Sequence, residues 1–310
     1  MGEPVSSDRP LVAVVGPTAV GKSEVALELA ERFDGEIVSA DSRQIYRGMD
    51  IGTAKPTPEE RARVPHHLID VTDPDRPLTL AEYQRMAYTA IEEIHRRGRL
   101  PFLVGGTGLY VWAVVEGWQI PPAPPDPELR RELEERARRE GPQALYEELR
   151  RLDPEAAAFI DPRNVRRVIR ALEVCYQTGK PFSAQRRKNP PPYRTILIGL
   201  TRPRAELYRR IDERVERMIA QGLVEEARRL AERYPWDLPA MTGLGYRQIG
   251  AYLRGEISLE EAIRQIQAAT RDFVHHQYNW FRLNDPRIRW FDLSREDVEA
   301  IAQWLAERLR

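Results

Sequence analysis

Short apolar runs separated by amphipathic stretches organise the first 200 residues of the chain. Four runs rich in Val, Ile and Leu lie at Leu11–Val15, Glu36–Ala40, Leu100–Val104 and Thr195–Leu200. Runs of this length are typical of buried parallel strands. Helical patterns separate the first three runs, so the sequence predicts an α/β fold with a parallel sheet.

Two proline clusters interrupt this pattern. One covers residues 121–127 and the other covers residues 190–192, and both are too rich in proline for a helix interior or a central strand. The segment between them has helical patterns, and from Pro203 onward the chain is almost wholly helical in pattern. We therefore predict a first part of the core at 1–120, a helical insertion domain at 121–192, and a second part of the core with C-terminal helices at 193–310.

Capping signals mark two helices in the C-terminal part. Ser258 with Glu261 matches a capping box at the start of a long helix whose pattern continues to about Arg282. Ser294 with Asp297 gives a second, weaker signal of the same kind.

Composition narrows the class of protein. The 48 basic and 48 acidic residues cancel, so a nucleic-acid partner would have to bind through a local basic surface. Cys175 is the only cysteine, which excludes a disulfide framework and favours a reducing cytoplasm. No apolar run reaches the roughly eighteen residues of a membrane span. We predict a cytoplasmic, monomeric enzyme with no membrane partner.

A phosphate-binding motif follows the first apolar run. Residues Gly16–Ser23 read GPTAVGKS, which matches G-x-x-x-x-G-K-S, and a helical stretch, Glu24–Phe33, comes next. Backbone N–H groups of such a loop converge on a polyphosphate, the lysine reaches its terminal oxygens, and the serine hydroxyl suits a Mg²⁺ ion. The sequence therefore predicts a P-loop NTPase-like core with Ser23 as a metal ligand. The predicted diphosphate-binding or triphosphate-binding residues are Gly16, Pro17, Thr18, Ala19, Val20, Gly21, Lys22 and Ser23.

Two more candidate residues follow later strands. Asp41 comes after the second apolar run and Thr107 lies in the GGTGLY segment after the third. Ligands bind at the carboxyl ends of parallel strands, so Asp41 could bind Mg²⁺ or accept a proton, and Thr107 could contact phosphate oxygens. Turn formation alone is the alternative for both. The chain has no clear apolar run ending in a separate metal-binding Asp, which weakens an NTP-hydrolysing interpretation.

The predicted insertion carries a basic helix. Arginines at i, i+3, i+4 and i+7 lie opposite an apolar face with the same spacing. Residues 161–188 contain eight Lys or Arg but two acidic residues, and Gln185–Lys188 extend the same basic surface. Such a stripe attracts phosphodiester backbones, although a solvated helix face is the alternative. The arginines are Arg163, Arg166, Arg167 and Arg170, and the apolar residues are Val165, Val168, Ile169 and Leu172.

Several motifs occur in one order from about Leu11 to Arg282. They are GPTAVGKS, SADSRQIYRGMDIGTAKP, HHLID, GGTGLY, DPRNVRRVIRALE, GLGYRQ, and ATRDF with QYNWFR. Together they resemble the tRNA dimethylallyltransferases, also called tRNA isopentenyltransferases. The resemblance implies transfer of a dimethylallyl group from dimethylallyl diphosphate to N6 of the adenosine on the 3′ side of the anticodon. The phosphate loop would then hold a prenyl diphosphate in place of ATP.

The implied chemistry assigns roles to four residues. Asp41 would accept the N6 proton as the new bond forms. Lys22, Thr107 and Arg214, together with Mg²⁺ at Ser23, would stabilise the departing diphosphate. A salt-bridged surface arginine is the alternative for Arg214.

The resemblance also implies residues that contact the tRNA anticodon stem-loop. They are Asp41, Ser42, Arg43, Gln44, Thr107, Arg130, Arg166, Arg167, Arg170, Gly243, Gly245, Tyr246, Arg247, His275, His276, Gln277, Trp280 and Arg282. Tyr246, Tyr278 and Trp280 could stack on bases or pack in the core. Relatives typically carry Lys-Arg and Thr where this chain has His275, His276 and Asn279. For the histidines of HHLID, His66 and His67, packing and turn hydrogen bonds are favoured over a metal.

Three rival functions are considered. A small-molecule kinase that uses ATP would have no need of the basic insertion. An RNA-binding P-loop protein without turnover would have no need of Asp41 beside a diphosphate site. An adenylate isopentenyltransferase, which prenylates AMP or ADP, would also lack a use for the basic stripe.

Overall fold

The computed structural model describes residues 9–185, 187–189 and 191–310. Arg186 of the predicted basic surface and Pro190 of the second proline cluster lie outside the described residues. Contacts divide the chain into two units, one of residues 1–115 with 191–310 and the other of residues 116–190. Each unit has a hydrophobic core of its own.

A parallel sheet forms the centre of the larger unit. Within the described residues its strands are β1 (Pro10–Val15), β2 (Gly35–Ser39), β3 (His66–His67), β4 (Leu100–Val104), β5 (Arg194–Thr201) and β6 (Ile288–Asp292). Their order is β3-β2-β4-β1-β5-β6, and every pairing is parallel. In the register, Val12 pairs with Phe102 on one side and with Ile196 on the other. The predicted α/β fold with a parallel sheet is therefore confirmed.

The four apolar runs of the sequence lie in strands except for Ala40, which follows β2, whereas two short strands at the sheet edges were not predicted. The expectation that the chain is almost wholly helical after Pro203 is wrong at Ile288–Asp292. This strand has five residues and pairs only with β5, so it buries too little apolar surface to leave a clear sequence pattern.

Helices cover the sheet and build the smaller unit. In chain order they are α1 (Lys22–Arg32), α2 (Pro58–Arg63), α3 (Leu80–Arg96), α4 (Gly108–Val115), α5 (Pro127–Glu140), α6 (Pro142–Leu152), α7 (Pro154–Phe159), α8 (Val165–Thr178), α9 (Arg204–Ala220), α10 (Leu223–Ala231), α11 (Tyr246–Leu253), α12 (Leu259–Trp280) and α13 (Val298–Leu309). Helices α5 to α8 belong to the smaller unit. Among the described residues, no helix is both long enough and apolar enough to cross a membrane.

Of the two predicted N-caps in the C-terminal part, one is present in the structure and the other is not. Ser258 is the predicted N-cap of α12, and its hydroxyl accepts a hydrogen bond from the Glu261 N–H at 3.2 Å, but the Glu261 carboxylate accepts from Arg264 and Gln265 and does not complete the predicted capping box. The prediction for Ser294 is wrong, because Asp297 caps α13 and accepts from the Ala300 N–H at 3.0 Å. Ser294 instead donates its hydroxyl to Asp292 at 2.8 Å within the preceding turn.

A buried carboxylate in α10 binds the loop that follows β2. Glu226 is 2% exposed. Its Oε2 accepts from the N–H groups of Asp50 at 3.0 Å and Ile51 at 2.8 Å, and its Oε1 accepts from Gly52 N–H at 3.0 Å and the Tyr246 hydroxyl at 2.6 Å. One anion therefore satisfies four donors that would otherwise be buried without a partner.

We expect Glu226→Gln to lower the free energy of unfolding by about 2 kcal/mol or more, because an amide cannot accept from donors on both sides. Urea denaturation of the two proteins measures the difference. Glu225→Gln is the matched control, since Glu225 is exposed and should change stability by less than about 0.5 kcal/mol. Equal denaturation midpoints for the two variants would contradict this role of Glu226.

Candidate active site

The predicted phosphate loop connects β1 to α1. Gly16 has φ of 145°, and a Cβ at this position would lie 2.4 Å from the Leu200 carbonyl oxygen in β5, so only glycine fits. Gly21 caps α1 with φ of 110°, and no side chain caps this end of the helix. The helix begins at Lys22, two residues before the predicted start. The first N–H groups of α1 are therefore free to bind an anion.

Two cations approach each other beside this loop. Lys22 donates Nζ to the Pro17 carbonyl at 2.8 Å. Burial, followed by the nearby Arg214 guanidinium, lowers the pKa of Lys22 to about 7, while the Asp41 carboxylate opposes the shift. Burial also lowers the pKa of Arg214. The Arg214 side chain has no hydrogen bond or salt bridge to any residue in the described ranges, so the alternative of a salt-bridged surface arginine does not hold. An anion between the two cations would stabilise both charged forms.

Asp41 and Thr107 meet at the carboxyl edge of the sheet. One oxygen of Asp41, Oδ1, accepts from Arg43 N–H at 2.8 Å and from Gln44 N–H at 3.4 Å. Thr107 Oγ1 accepts from Ser42 N–H at 3.0 Å and donates to Ser42 Oγ at 3.3 Å. The turn-forming alternative is thus present for both residues, but Asp41 Oδ2 has no hydrogen bond within the described part of the chain. Asp41 therefore keeps one oxygen for a ligand.

Two adjoining cavities share the cationic residues. The larger, of about 730 Å³, extends from the phosphate loop along α9 and the loop before α2. The smaller, of about 80 Å³, reaches Asp41. Lys22, Ser23 and Arg214 line both cavities. A ligand with its anionic part at these three residues would therefore have its other end within reach of Asp41.

The residues present fit a Mg²⁺ ion held mainly by its ligand. No cluster of three or more metal-binding side chains occurs in residues 9–185, 187–189 and 191–310. Mg²⁺ commonly keeps several waters and binds through one or two protein oxygens and substrate phosphates. Ser23 has an exposed position at the start of α1, and Asp41 lines the same smaller cavity.

Comparison with known proteins decides the family. The sequence matches the family described as IPP transferase over residues 44–284, and the one described as isopentenyl transferase over residues 10–73. It is 59% identical over 287 residues to a tRNA dimethylallyltransferase of Thermomicrobium roseum, covering 92% of this chain and 87% of the relative. The chain belongs to the tRNA dimethylallyltransferase family.

Further relatives agree with this assignment. A tRNA dimethylallyltransferase of Roseiflexus sp. is 55% identical over 302 residues, covering 96% of this chain and 99% of that protein. The crystal structure of a tRNA isopentenylpyrophosphate transferase from Bacillus halodurans has a TM-score of 0.73 and 45% identity, with 97% of each chain covered. A eukaryotic dimethylallyltransferase acting on tRNA has a TM-score of 0.81 and 27% identity, covering 96% of this chain and 78% of that one. The family resemblance stated from the motifs is confirmed.

Two residues that the family motifs suggested as tRNA contacts lie in the core. Tyr246 is 1% exposed, and its hydroxyl donates a hydrogen bond to Glu226. The Tyr246 ring is therefore not available to stack on a base. Gln277 is 4% exposed and bonds to backbone groups at both ends of its amide. Each side chain faces inward in this structure, and the direct tRNA contact expected of both stays a prediction.

Other suggested tRNA-contacting residues have mixed surroundings. His275 Nε2 lies 2.8 Å from the Arg204 guanidinium and 3.0 Å from the Tyr208 hydroxyl. Trp280 is 42% exposed. Arg43 donates to the Pro239 carbonyl at 2.8 Å. Of the remaining suggested residues in the larger unit, Arg247, His276 and Arg282 are exposed, Ser42 and Gln44 are half-buried, and Gly243 and Gly245 are buried.

The basic stripe of α8 is not uniform. Glu173, which is 0% exposed, binds two of the predicted RNA-contacting arginines, Arg130 at 2.8 Å and Arg170 at 2.5 Å. Arg163 lies before α8, so the prediction that it belongs to the same helix is wrong; it is exposed and pairs with Asp161 at 2.7 Å. On the helix itself Arg166 and Arg167 are exposed, and the Arg167 guanidinium lies 5.9 Å from the centre of the Phe159 ring. The stripe therefore divides into arginines that bind the buried carboxylate and arginines that face solvent.

The histidines of the HHLID motif have structural partners. His67 Nε2 lies 2.6 Å from the Glu36 carboxylate, and His66 Nδ1 lies 2.7 Å from the Val64 carbonyl oxygen. These contacts agree with the packing and turn interpretation.

Lys55 is a residue of the larger cavity that had no role in the sequence analysis. Its side chain is buried, and Nζ donates to Asp50 at 2.6 Å, to Asp70 at 2.5 Å and to the Tyr46 carbonyl at 2.7 Å. All of these residues occur in the motifs SADSRQIYRGMDIGTAKP and HHLID. The presence of these residues in the two motifs was the available signal for a shared role. The spacing of residues along the chain does not reveal which carboxylate binds which cation.

We expect diphosphate binding to be coupled to proton uptake by Lys22. With a pKa of about 7, the Lys22 amine of the free protein is mostly neutral at pH 8, and a bound anion should restore its charge. Uptake of about one proton at pH 8 should follow, with affinity falling as pH rises through 7. Calorimetry with inorganic diphosphate, in buffers of different ionisation enthalpy, measures the uptake.

Lys22→Arg is the control for this prediction. Its guanidinium stays charged over this range, so any uptake that remains belongs to ionisation of the diphosphate itself. The same proton uptake by both proteins would show that Lys22 is already charged in the free protein.

Proposed function

We propose that the protein transfers a dimethylallyl group from dimethylallyl diphosphate to N6 of the adenosine 3′ of the anticodon in tRNA and releases diphosphate. As a member of the tRNA dimethylallyltransferase family, it is a prenyltransferase that modifies tRNA. The observation that carries the proposal is the position of Lys22 and Arg214 between a large cavity and the Asp41 carboxylate.

The cations suit the leaving group. Heterolysis of the allylic C–O bond leaves one further negative charge on the diphosphate, and preorganised positive groups lower the barrier by stabilising that charge. Lys22, Arg214 and the free N–H groups at the start of α1 would provide this stabilisation. A Mg²⁺ ion at Ser23 would neutralise part of the diphosphate charge when it is bound.

Asp41 suits the acceptor side of the reaction. The N6 lone pair of adenine is delocalised into the ring, so attack on carbon is easier when a base takes the N6 proton as the bond forms. Asp41 Oδ1 is held by two backbone N–H groups, and Oδ2 lacks a hydrogen bond within the described ranges. The carboxylate is thus oriented by its own turn while one oxygen can receive the proton.

The tRNA would be bound by the exposed cations of α8 and of the C-terminal helices. Adenosine in a stacked anticodon loop has to leave the stack to reach Asp41, which requires contacts that hold the surrounding backbone. Arg166 and Arg167 are exposed, and their guanidinium groups would contact phosphates. Such contacts would also favour tRNA over free AMP or ADP as the acceptor of the prenyl group.

The direct test incubates the protein, Mg²⁺, dimethylallyl diphosphate and unmodified tRNA, then digests the tRNA and determines the mass of its adenosines. Prenylated adenosine at the position 3′ of the anticodon is the expected product. Parallel reactions contain AMP, or ATP with a small-molecule acceptor. Turnover in those reactions with none on tRNA would replace the proposal by an adenylate prenyltransferase or a kinase.

Asp41→Asn should lower kcat by about a hundredfold, because an amide cannot accept the N6 proton but can still accept from the backbone of the turn. Single-turnover prenylation of tRNA measures the rate, and a binding titration should give a tRNA affinity within about twofold of the original. Asp75→Asn, at an exposed carboxylate, is the matched control. An undiminished rate would remove Asp41 from the role of base.

The double reversal Arg166→Glu with Arg167→Glu should weaken binding of the anticodon stem-loop and reduce the slope of log affinity against log salt by about one to two. Electrophoretic mobility shifts at several salt concentrations measure both quantities. The matched control reverses Arg138 and Arg139, which are exposed on α5 of the same unit, and changes net charge by the same amount. If both double variants lose equal affinity, the effect comes from net charge and not from α8.

A further inference from the structure

Gln277 connects the last turn of α12 to two loops of the sheet edge. Its Oε1 accepts the N–H of Thr18 in the phosphate loop at 2.7 Å. Its Nε2 donates to the carbonyl of Gly106, in the turn after β4, at 3.1 Å. The oxygen and the nitrogen of this buried amide therefore each bond to the backbone of a different loop.

The space around this amide is closely filled. A Cβ built on Gly106 would lie 2.2 Å from Gln277 Nε2, closer than any normal contact, and the next nearest atoms would be 3.4 Å away or more. The backbone of Gly106 has no positive φ, so the need for glycine here comes from Gln277 and not from the conformation of the chain.

Neighbouring residues fix the same end of α12. The Tyr278 hydroxyl lies 2.8 Å from Thr201 Oγ1 at the end of β5, and the Trp280 carbonyl accepts from Trp112 Nε1 at 3.0 Å. The end of α12 that carries Gln277 is therefore fixed by the residues that follow it as well as by the Gln277 amide.

The Thr18 N–H is one of the groups that the loop motif assigns to the diphosphate. In the structure this N–H points to Gln277. The remaining N–H groups of the loop keep their direction only if the loop keeps its position relative to the sheet edge, and a neutral amide can fix that position without adding charge.

We propose that Gln277 is a positioning residue which holds the phosphate loop at a fixed distance from the Gly105–Tyr110 turn, so that the loop N–H groups and Thr107 act on one diphosphate. Gln277 acts through Thr18 and Gly106 and has no contact with tRNA. The turnover part of its test depends on the proposed function, whereas the binding part does not.

The first experiment uses Gln277→Met, which keeps most of the side-chain volume but removes both hydrogen bonds. Calorimetry with inorganic diphosphate and Mg²⁺ should show Kd raised about tenfold. The Kd of the anticodon stem-loop should stay within about twofold, and KM for dimethylallyl diphosphate should rise more than kcat falls. Gln265→Met is the matched control, because Gln265 is exposed on the same helix and its side chain donates to Glu261 in the same helix.

Gln277→Glu gives a second test that does not depend on losing both bonds. The carboxylate still accepts from Thr18 N–H, but it has no proton for the Gly106 carbonyl and adds a negative charge beside the phosphate loop, so Kd for diphosphate should rise at least as much as in Gln277→Met. Thermal melting of each variant within a few degrees of the original protein separates loss of positioning from loss of fold.

The second experiment is a double-mutant cycle. Gly106→Ala alone should weaken diphosphate binding, because the new methyl group displaces the Gln277 amide. When Gln277→Ala is also present, the methyl group has space. The second substitution should therefore lower diphosphate affinity little beyond the loss caused by the first. Additive losses would show that the two residues act independently and would overturn the proposal.

Two further outcomes would also overturn it. One is unchanged diphosphate affinity in Gln277→Met. The other is a loss of stem-loop affinity larger than the loss of diphosphate affinity, which would make Gln277 a tRNA contact. If the unaltered protein binds diphosphate but does not prenylate tRNA, the proposed function fails, and the binding measurements still decide the role of Gln277.

Discussion

The burial of two neighbouring cations, Lys22 and Arg214, is the constraint on which the site depends. Burial lowers the pKa of both groups, and the Arg214 guanidinium lowers the pKa of Lys22 further. An anion bound between them would stabilise both charged forms. Under the proposed function, a diphosphate would meet groups already aimed at it, and the charge that develops on it as it leaves would be stabilised without rearrangement.

Such a cleft requires loops whose positions are set from elsewhere in the fold. Glu226 holds the loop that lines the large cavity, and Gln277 holds the phosphate loop. Both side chains come from the C-terminal helices, more than 170 residues away from the loop groups that they bind. The N-terminal half contains the phosphate loop and Asp41, whereas the C-terminal half contributes Arg214 and the side chains that hold the loops in position.

The parts that could be predicted from sequence depend on local patterns. The phosphate loop needs glycine, lysine and serine at fixed spacing, and the end of an apolar run places Asp41 at the sheet edge. The role of a helical residue depends instead on which face turns inward. His276 is exposed and Gln277 is buried although they are adjacent, so motif membership assigned both to the tRNA. The spacing of Val274, Gln277 and Phe281 at i, i+3 and i+7 was a usable signal for burial.

The acidic residues of the chain show why composition could not reveal this organisation. Net charge is zero, yet Glu173 and Glu226 are buried at sites where each satisfies several donors. A buried carboxylate of this kind neutralises the groups that it binds and leaves other cations exposed, as Glu173 does for Arg130 and Arg170 while Arg166 faces solvent. The charge available to a polyanion is therefore set by which arginines lack a carboxylate partner. The number of basic residues in the chain does not determine it.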